Sequence, residues 1–167
     1  MGPILVEAFR YNRWANVLLL DSCASLSDEQ LQLTTPGTYG TIAATLVHLV
    51  RAERMYLWRL GGQKGRLSRR HKFPGVAILR KEAALSGDQL TNVAKRIKWE
   101  DKVVSKWKQG AFRLDKGVIL LQALHHGNDH RTHVCTILGA NGIEYAEMDV
   151  WVFGDAMGAI VPVPAKA

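Results

Sequence analysis

Apolar residues recur at spacings of three and four along four long stretches of the chain, the period of a helix with one buried face. The first runs from about Ile4 to Ala24, with Ala8, Phe9, Tyr11, Ala15, Leu18 and Leu19 on its stripe. A Ser27-Asp28-Glu29-Gln30 run then reads as a short capped helical turn, and Thr34-Thr35-Pro36-Gly37 with Gly40 breaks the pattern. The second helix is expected from about Thr41 to Leu60, burying Ile42, Leu46, Leu49, Tyr56, Leu57 and Leu60, with Gly61-Gly62 as its stop. A third runs from about Val76 to Lys98, with Leu79, Ala83, Leu90, Ala94 and Ile97 inward, and a fourth from about Gly117 to Leu138. Between these two, Lys102–Trp107 and Ala111–Leu114 flank Lys108-Gln109-Gly110, a pattern equally open to a hairpin or a frayed helix. A short helix from about Met148 to Ala159 precedes a proline-containing tail. All five prolines fall outside the predicted helix interiors. Long helices without a repeat or a linker predict a single all-α domain over residues 1–167, built as a bundle.

Composition narrows the class without choosing a function. Apolar residues make up 47% and charged residues 22% of 167, which excludes collagen-like and largely disordered chains. No run approaches the ~18 uninterrupted apolar residues of a membrane span. The apolar run Val17–Leu20, preceded by Glu7, Arg10 and Arg13, is too short and too interrupted for a secretory signal, so a cytoplasmic protein is expected. Cys23 and Cys135 form no CxxC pair and read as small buried hydrophobes. The net charge of +7 favours anionic partners, and Lys64, Arg66, Arg69, Arg70, His71 and Lys72 concentrate it in one loop. That loop lacks interleaved aromatics before Phe73 and any nucleic-acid fold signature, so it reads first as a solvated face.

The chemistry lies in the histidines. Of six in the chain, His125, His126, His130 and His133 fall within nine residues of the fourth helix. Positions i and i+4 stand above one another on a helix, so His126 and His130 share a stripe with Gln122, His133 and Ile137. Ile119 and Ile137 make that stripe core-facing at both ends. Burying several unpaired imidazoles is costly, and a shared metal ion satisfies them. His48 on the second helix stands among Ala44, Thr45 and Ala52, which leave room around its ring. Spacing alone does not choose between His48 and His133 as a third ligand. Three protein ligands leave a catalytic-type open position, whereas four close the site. No His-Glu-x-x-His is present, so a zincin protease has no support.

The run Gln122-Ala123-Leu124-His125-His126-Gly127-Asn128-Asp129-His130-Arg131-Thr132 resembles the HxxxHR signature of the DinB/YfiT-like family of metal-dependent enzymes. His48 followed by Glu53 and Trp58 is similar to that family's first ligand helix, and the Gly139–Gly142 turn and Asp149-Val150-Trp151 are similar to its ending. The resemblance implies a four-helix bundle in up-down-down-up order, commonly dimeric. It also implies one nickel or zinc ion on His48, His126 and His130. Iron is compatible too, since imidazole suits all three metals. The resemblance implies thiol-dependent transferases and isomerases using low-molecular-weight thiols; an open ion that activates water or a thiol makes a small-molecule hydrolase or a thiol-dependent transferase the expected function. Two departures stand out: Thr132-His133 follows the motif where many members have Gly-Gln, and His125 replaces a common asparagine. His133, one turn beyond His130, is therefore a candidate fourth ligand.

Other residues carry paired expectations. Asp129 either orients a ligand ring or pairs with His125 at the surface, and Glu53 is either a general base or a partner in an ion pair. Gly127 marks a close approach by another helix or a ligand. Trp14, Trp58, Trp99, Trp107 and Trp151 are expected in core or dimer packing. The general base is unassigned. The alternative to an enzyme is a non-catalytic metal-binding structural or interaction module; a nucleic-acid-associated protein is less favoured.

Overall fold

The computed structural model describes residues 4–61 and 72–163. The basic loop expected at Lys64–Lys72 lies outside the described residues except for Lys72. The elements are α1 (Ile4–Ser22), α2 (Asp28–Leu31), α3 (Ile42–Arg59), α4 (Val76–Ala94), β1 (Lys102–Trp107), β2 (Gly110–Asp115), α5 (Lys116–Ala140) and α6 (Val150–Ala156). The protein is mostly helical, but the all-α expectation is too strict. β1 and β2 pair antiparallel in full register from Lys102↔Asp115 to Trp107↔Gly110. A two-residue loop, Lys108-Gln109, joins them, and Gly110 takes φ 135°, which side-chain-bearing residues avoid. Of the two patterns open at this segment, the hairpin is the one that forms.

Local chemistry sets the helix ends. Ser27 and Gln30 form a reciprocal capping box on α2, and the Thr41 hydroxyl accepts the Ala44 N–H to start α3. α4 stops at Ala94, a turn before the expected Lys98, and α6 is shorter than expected at both ends. α1 and α4 run antiparallel, since Arg13 pairs with Asp88 and Arg80 with Asp21. α3 and α5 are also antiparallel: His48 meets His130, while Tyr56, two turns later, meets His126, one turn earlier. One apolar cluster joins Leu19, Leu20, Leu46, Leu49, Ala83 and Ile137; a second, towards the hairpin, joins Phe9, Leu57, Leu90 and Leu120. Between them lies a polar layer. Among the described residues no helix is long and apolar enough to cross a membrane.

The buried face of α3 is the one its sequence predicts, from Ile42 through Leu60. That of α1 is rotated. Asn12 and Asn16 are fully buried, while Ala8, Tyr11 and Leu18 are only half-buried. The tryptophans also depart from expectation: Trp58, Trp99, Trp107 and Trp151 are exposed, and Trp14 is half-buried beside Tyr11 and Phe153. Cys23 and Cys135 are free, and burial pushes the Cys23 thiol up to about 12.

Candidate metal centre

α3 and α5 bring His48, His126 and His130 together. One ring nitrogen from each lies within 4.8 Å of the others. The three ring centroids are 4.2–4.8 Å apart, and Nε2 of His126 is 2.9 Å from Nε2 of His48. One helical turn separates His126 from His130, so both rings leave α5 on the same side; the antiparallel α3 presents His48 opposite them. His133 is in edge contact with His130 at 5.3 Å but lies outside the three-nitrogen group.

These rings are held neutral. Burial, reinforced by the neighbouring imidazoles, lowers His126 and His130 to about 4. His48 is lowered by burial and by the nearby Arg51. At neutral pH each ring therefore offers a lone pair. The Nδ1 of His130, a residue 7% exposed, is buried without a hydrogen-bond partner, as is the Nδ1 of the neighbouring His133. An orphaned nitrogen in an all-imidazole cluster is costly unless something else satisfies it. The residues thus fit a divalent ion such as zinc, nickel or iron.

The surroundings sort the remaining candidates. Asp129 takes the surface role, with its carboxylate 3.4 Å from Nδ1 of the exposed His125. Gln122 is exposed and hydrogen-bonded to Tyr56, whose ring meets His126 edge-on. Tyr39, from the turn before α3, was not singled out in the sequence. Its ring stacks on His48 at 4.2 Å and meets His130 edge-on at 5.0 Å.

Glu53 lies outside the three-histidine group and is 1% exposed. Asn12 and Asn16 donate to its Oε1 at 2.6 and 2.8 Å, and Ser86 donates to its Oε2 at 2.6 Å. The same two asparagines accept from Arg131 Nη1 at 2.8 and 2.7 Å. The two amides thereby bridge a buried carboxylate and a buried guanidinium, and link α1, α3, α4 and α5 beside the histidines. Burial pushes Glu53 up and Arg131 down, while the hydrogen bonds and opposite charges oppose both shifts. Gly127 makes this possible: a Cβ there would stand 2.4 Å from the Asn12 Oδ1 and 3.0 Å from the Arg131 Nη1. The close approach expected at Gly127 comes from α1. Neither role weighed for Glu53 describes it fully, because its contact with Arg131 runs through amides.

A family model described as the DinB family matches residues 1–157. A DinB-like protein from Bacillus cereus ATCC 10987 has a similar crystal structure, with a TM-score of 0.67 at 16% identity. The match covers 87% of this chain and 95% of that one, and at such identity it shows the fold alone. No curated protein matches the sequence.

Proposed function

Because the chain belongs to the DinB family, we propose that His48, His126 and His130 hold one divalent metal ion, nickel or zinc, in a metal-dependent enzyme acting on a small molecule. Three neutral imidazoles from two helices, with nitrogens within 4.8 Å and one nitrogen orphaned, are the observation that carries this reading. When bound, the ion supplies Lewis acidity that acidifies an approaching water or thiol or polarises a carbonyl. The chain's own residues hold the three rings neutral, converge them from opposed helices and keep Tyr39 at the edge of the cluster. The reaction class is hydrolysis or transfer dependent on a low-molecular-weight thiol. The same proposal includes a homodimer and an up-down-down-up four-helix bundle; the antiparallel pairs α1–α4 and α3–α5 support the latter.

One observation favours a second reading, a non-catalytic metal-binding module. Both Glu53 oxygens are committed to Asn12, Asn16 and Ser86, and Asp129 pairs with His125, so neither is poised as a base. Cobalt substitution separates the readings. An enzyme with an open coordination position shows a visible spectrum that changes when a small thiol is added; a closed structural site keeps the same spectrum.

A further inference from the structure

Tyr39 lies in a turn that the chain closes on itself. Thr38 donates its backbone N–H and its hydroxyl to the Thr35 carbonyl, at 3.2 and 2.7 Å. The Thr34 hydroxyl reaches the Gly40 carbonyl at 3.3 Å, and the Ile42 N–H reaches the Leu33 carbonyl at 3.1 Å. Two residues later Thr41 caps α3. The turn thus delivers the half-exposed Tyr39 ring to the His48 ring with their planes 21° apart. Its hydroxyl oxygen is 3.1 Å from the His48 Nδ1.

The two nitrogens of His48 therefore have different neighbours: Nε2 faces His126 and Nδ1 faces Tyr39. A neutral imidazole carries one proton. If it sits on Nδ1, the ring donates to the phenol oxygen, and the Nε2 lone pair is left to accept from His126 Nε2 or to serve as a ligand. If it sits on Nε2, that lone pair is lost to coordination. We propose that Tyr39 is a positioning residue that accepts the His48 Nδ1–H, fixing the tautomer and the ring plane in which Nε2 serves as a ligand. This rests on the metal-site reading above. It assigns a role to a residue outside the HxxxHR motif, in a loop. Partners that orient a ligand histidine typically change metal affinity by 10–100-fold when removed.

Tyr39→Phe keeps the aromatic ring and removes only the acceptor, so two measurements on it are informative. The first is ¹⁵N imidazole NMR of the metal-free protein. The parent is expected to show His48 protonated at Nδ1, and Tyr39→Phe is expected to shift it towards Nε2. The second is zinc affinity by chelator competition. The expected loss in Tyr39→Phe is 10–100-fold, with the melting temperature of the metal-free protein unchanged. That loss is expected to vanish in a His48→Ala background, because Tyr39 acts through His48. A His48 proton on Nε2 in the parent, a Tyr39→Phe affinity within about twofold of the parent, or an equal loss without His48 overturns the proposal. Should the parent bind no zinc, the metal-site reading fails, while the NMR arm still decides what Tyr39 does to His48.

Discussion

Replacing Arg131 with methionine tests the polar layer that sits between the two apolar clusters. Arg131 is 4% exposed and donates to two asparagine oxygens, at 2.8 and 2.7 Å. Methionine fills much of the same volume, so the cavity contribution is small. What disappears is the positive charge and two hydrogen bonds from it, worth about 1.5–3 kcal/mol each. What remains is a buried Glu53 without its counter-charge, and losing one partner of a buried pair typically costs about 3–5 kcal/mol. These two estimates describe the same loss and must not be added. We expect Arg131→Met to destabilise the metal-free protein by about 4 kcal/mol. In urea, with a slope of about 1–3 kcal/mol per molar, the midpoint falls by roughly 2 M. In a thermal scan the loss is about 8–16 °C, at about 2–4 °C per kcal/mol for a chain of this size. Adding Glu53→Gln removes the stranded charge while keeping a side chain that hydrogen-bonds. The double variant is expected to recover at least about 1 kcal/mol relative to the additive expectation. A loss below about 1 kcal/mol in Arg131→Met, or strict additivity in the double variant, would refute the idea that carboxylate and guanidinium are coupled through the amides.

Two further outcomes follow from the same geometry. Gly127→Ala gains about 1 kcal/mol of helix propensity but drives a Cβ into the Asn12 Oδ1 and the Arg131 Nη1, so a net loss of about 1–2 kcal/mol is expected in urea unfolding; stabilisation would contradict the close approach. His126 and His130 contribute a pH dependence to metal-free stability. His126 and His130 titrate at about 4 in the folded chain against 6.5 ordinarily, so between those values the unfolded chain binds more protons. Their contribution to stability is fully present above pH 6.5 and is lost as pH falls towards 4. Urea midpoints that stay level across that interval in the parent, or that fall equally in a His126→Phe/His130→Phe control, would be inconsistent with neutral buried rings.

How far the sequence could be read depended on whether a signal was periodic and apolar. The α3 face from Ile42 to Leu60 was legible because apolar side chains alone mark it. The α1 face was misplaced because Asn12 and Asn16 interrupt it with polar groups. They are buried only because Glu53 and Arg131, far away in sequence, satisfy them. His126 and His130 announce themselves by an i, i+4 spacing. His48 and His133 could not be separated by spacing, because their difference is one of helix pairing: α3 runs antiparallel to α5 and brings His48 across. The family resemblance supplied what periodicity lacked. Tyr39 was invisible, since a tyrosine in a threonine- and glycine-rich turn has no pattern until α3 folds back over it. The hairpin was half-legible. Gly110 marks the turn, but pairing partners across a two-residue loop emerge only when the strands meet.

The most direct test of the metal centre is elemental analysis of untagged protein by mass spectrometry, with His130→Ala alongside. About one first-row divalent ion per chain in the parent is predicted, with near zero in His130→Ala while its helical circular dichroism and cooperative melting persist. A parent without stoichiometric metal, or a well-folded His130→Ala chain that keeps its full complement, would contradict a site built from these three imidazoles.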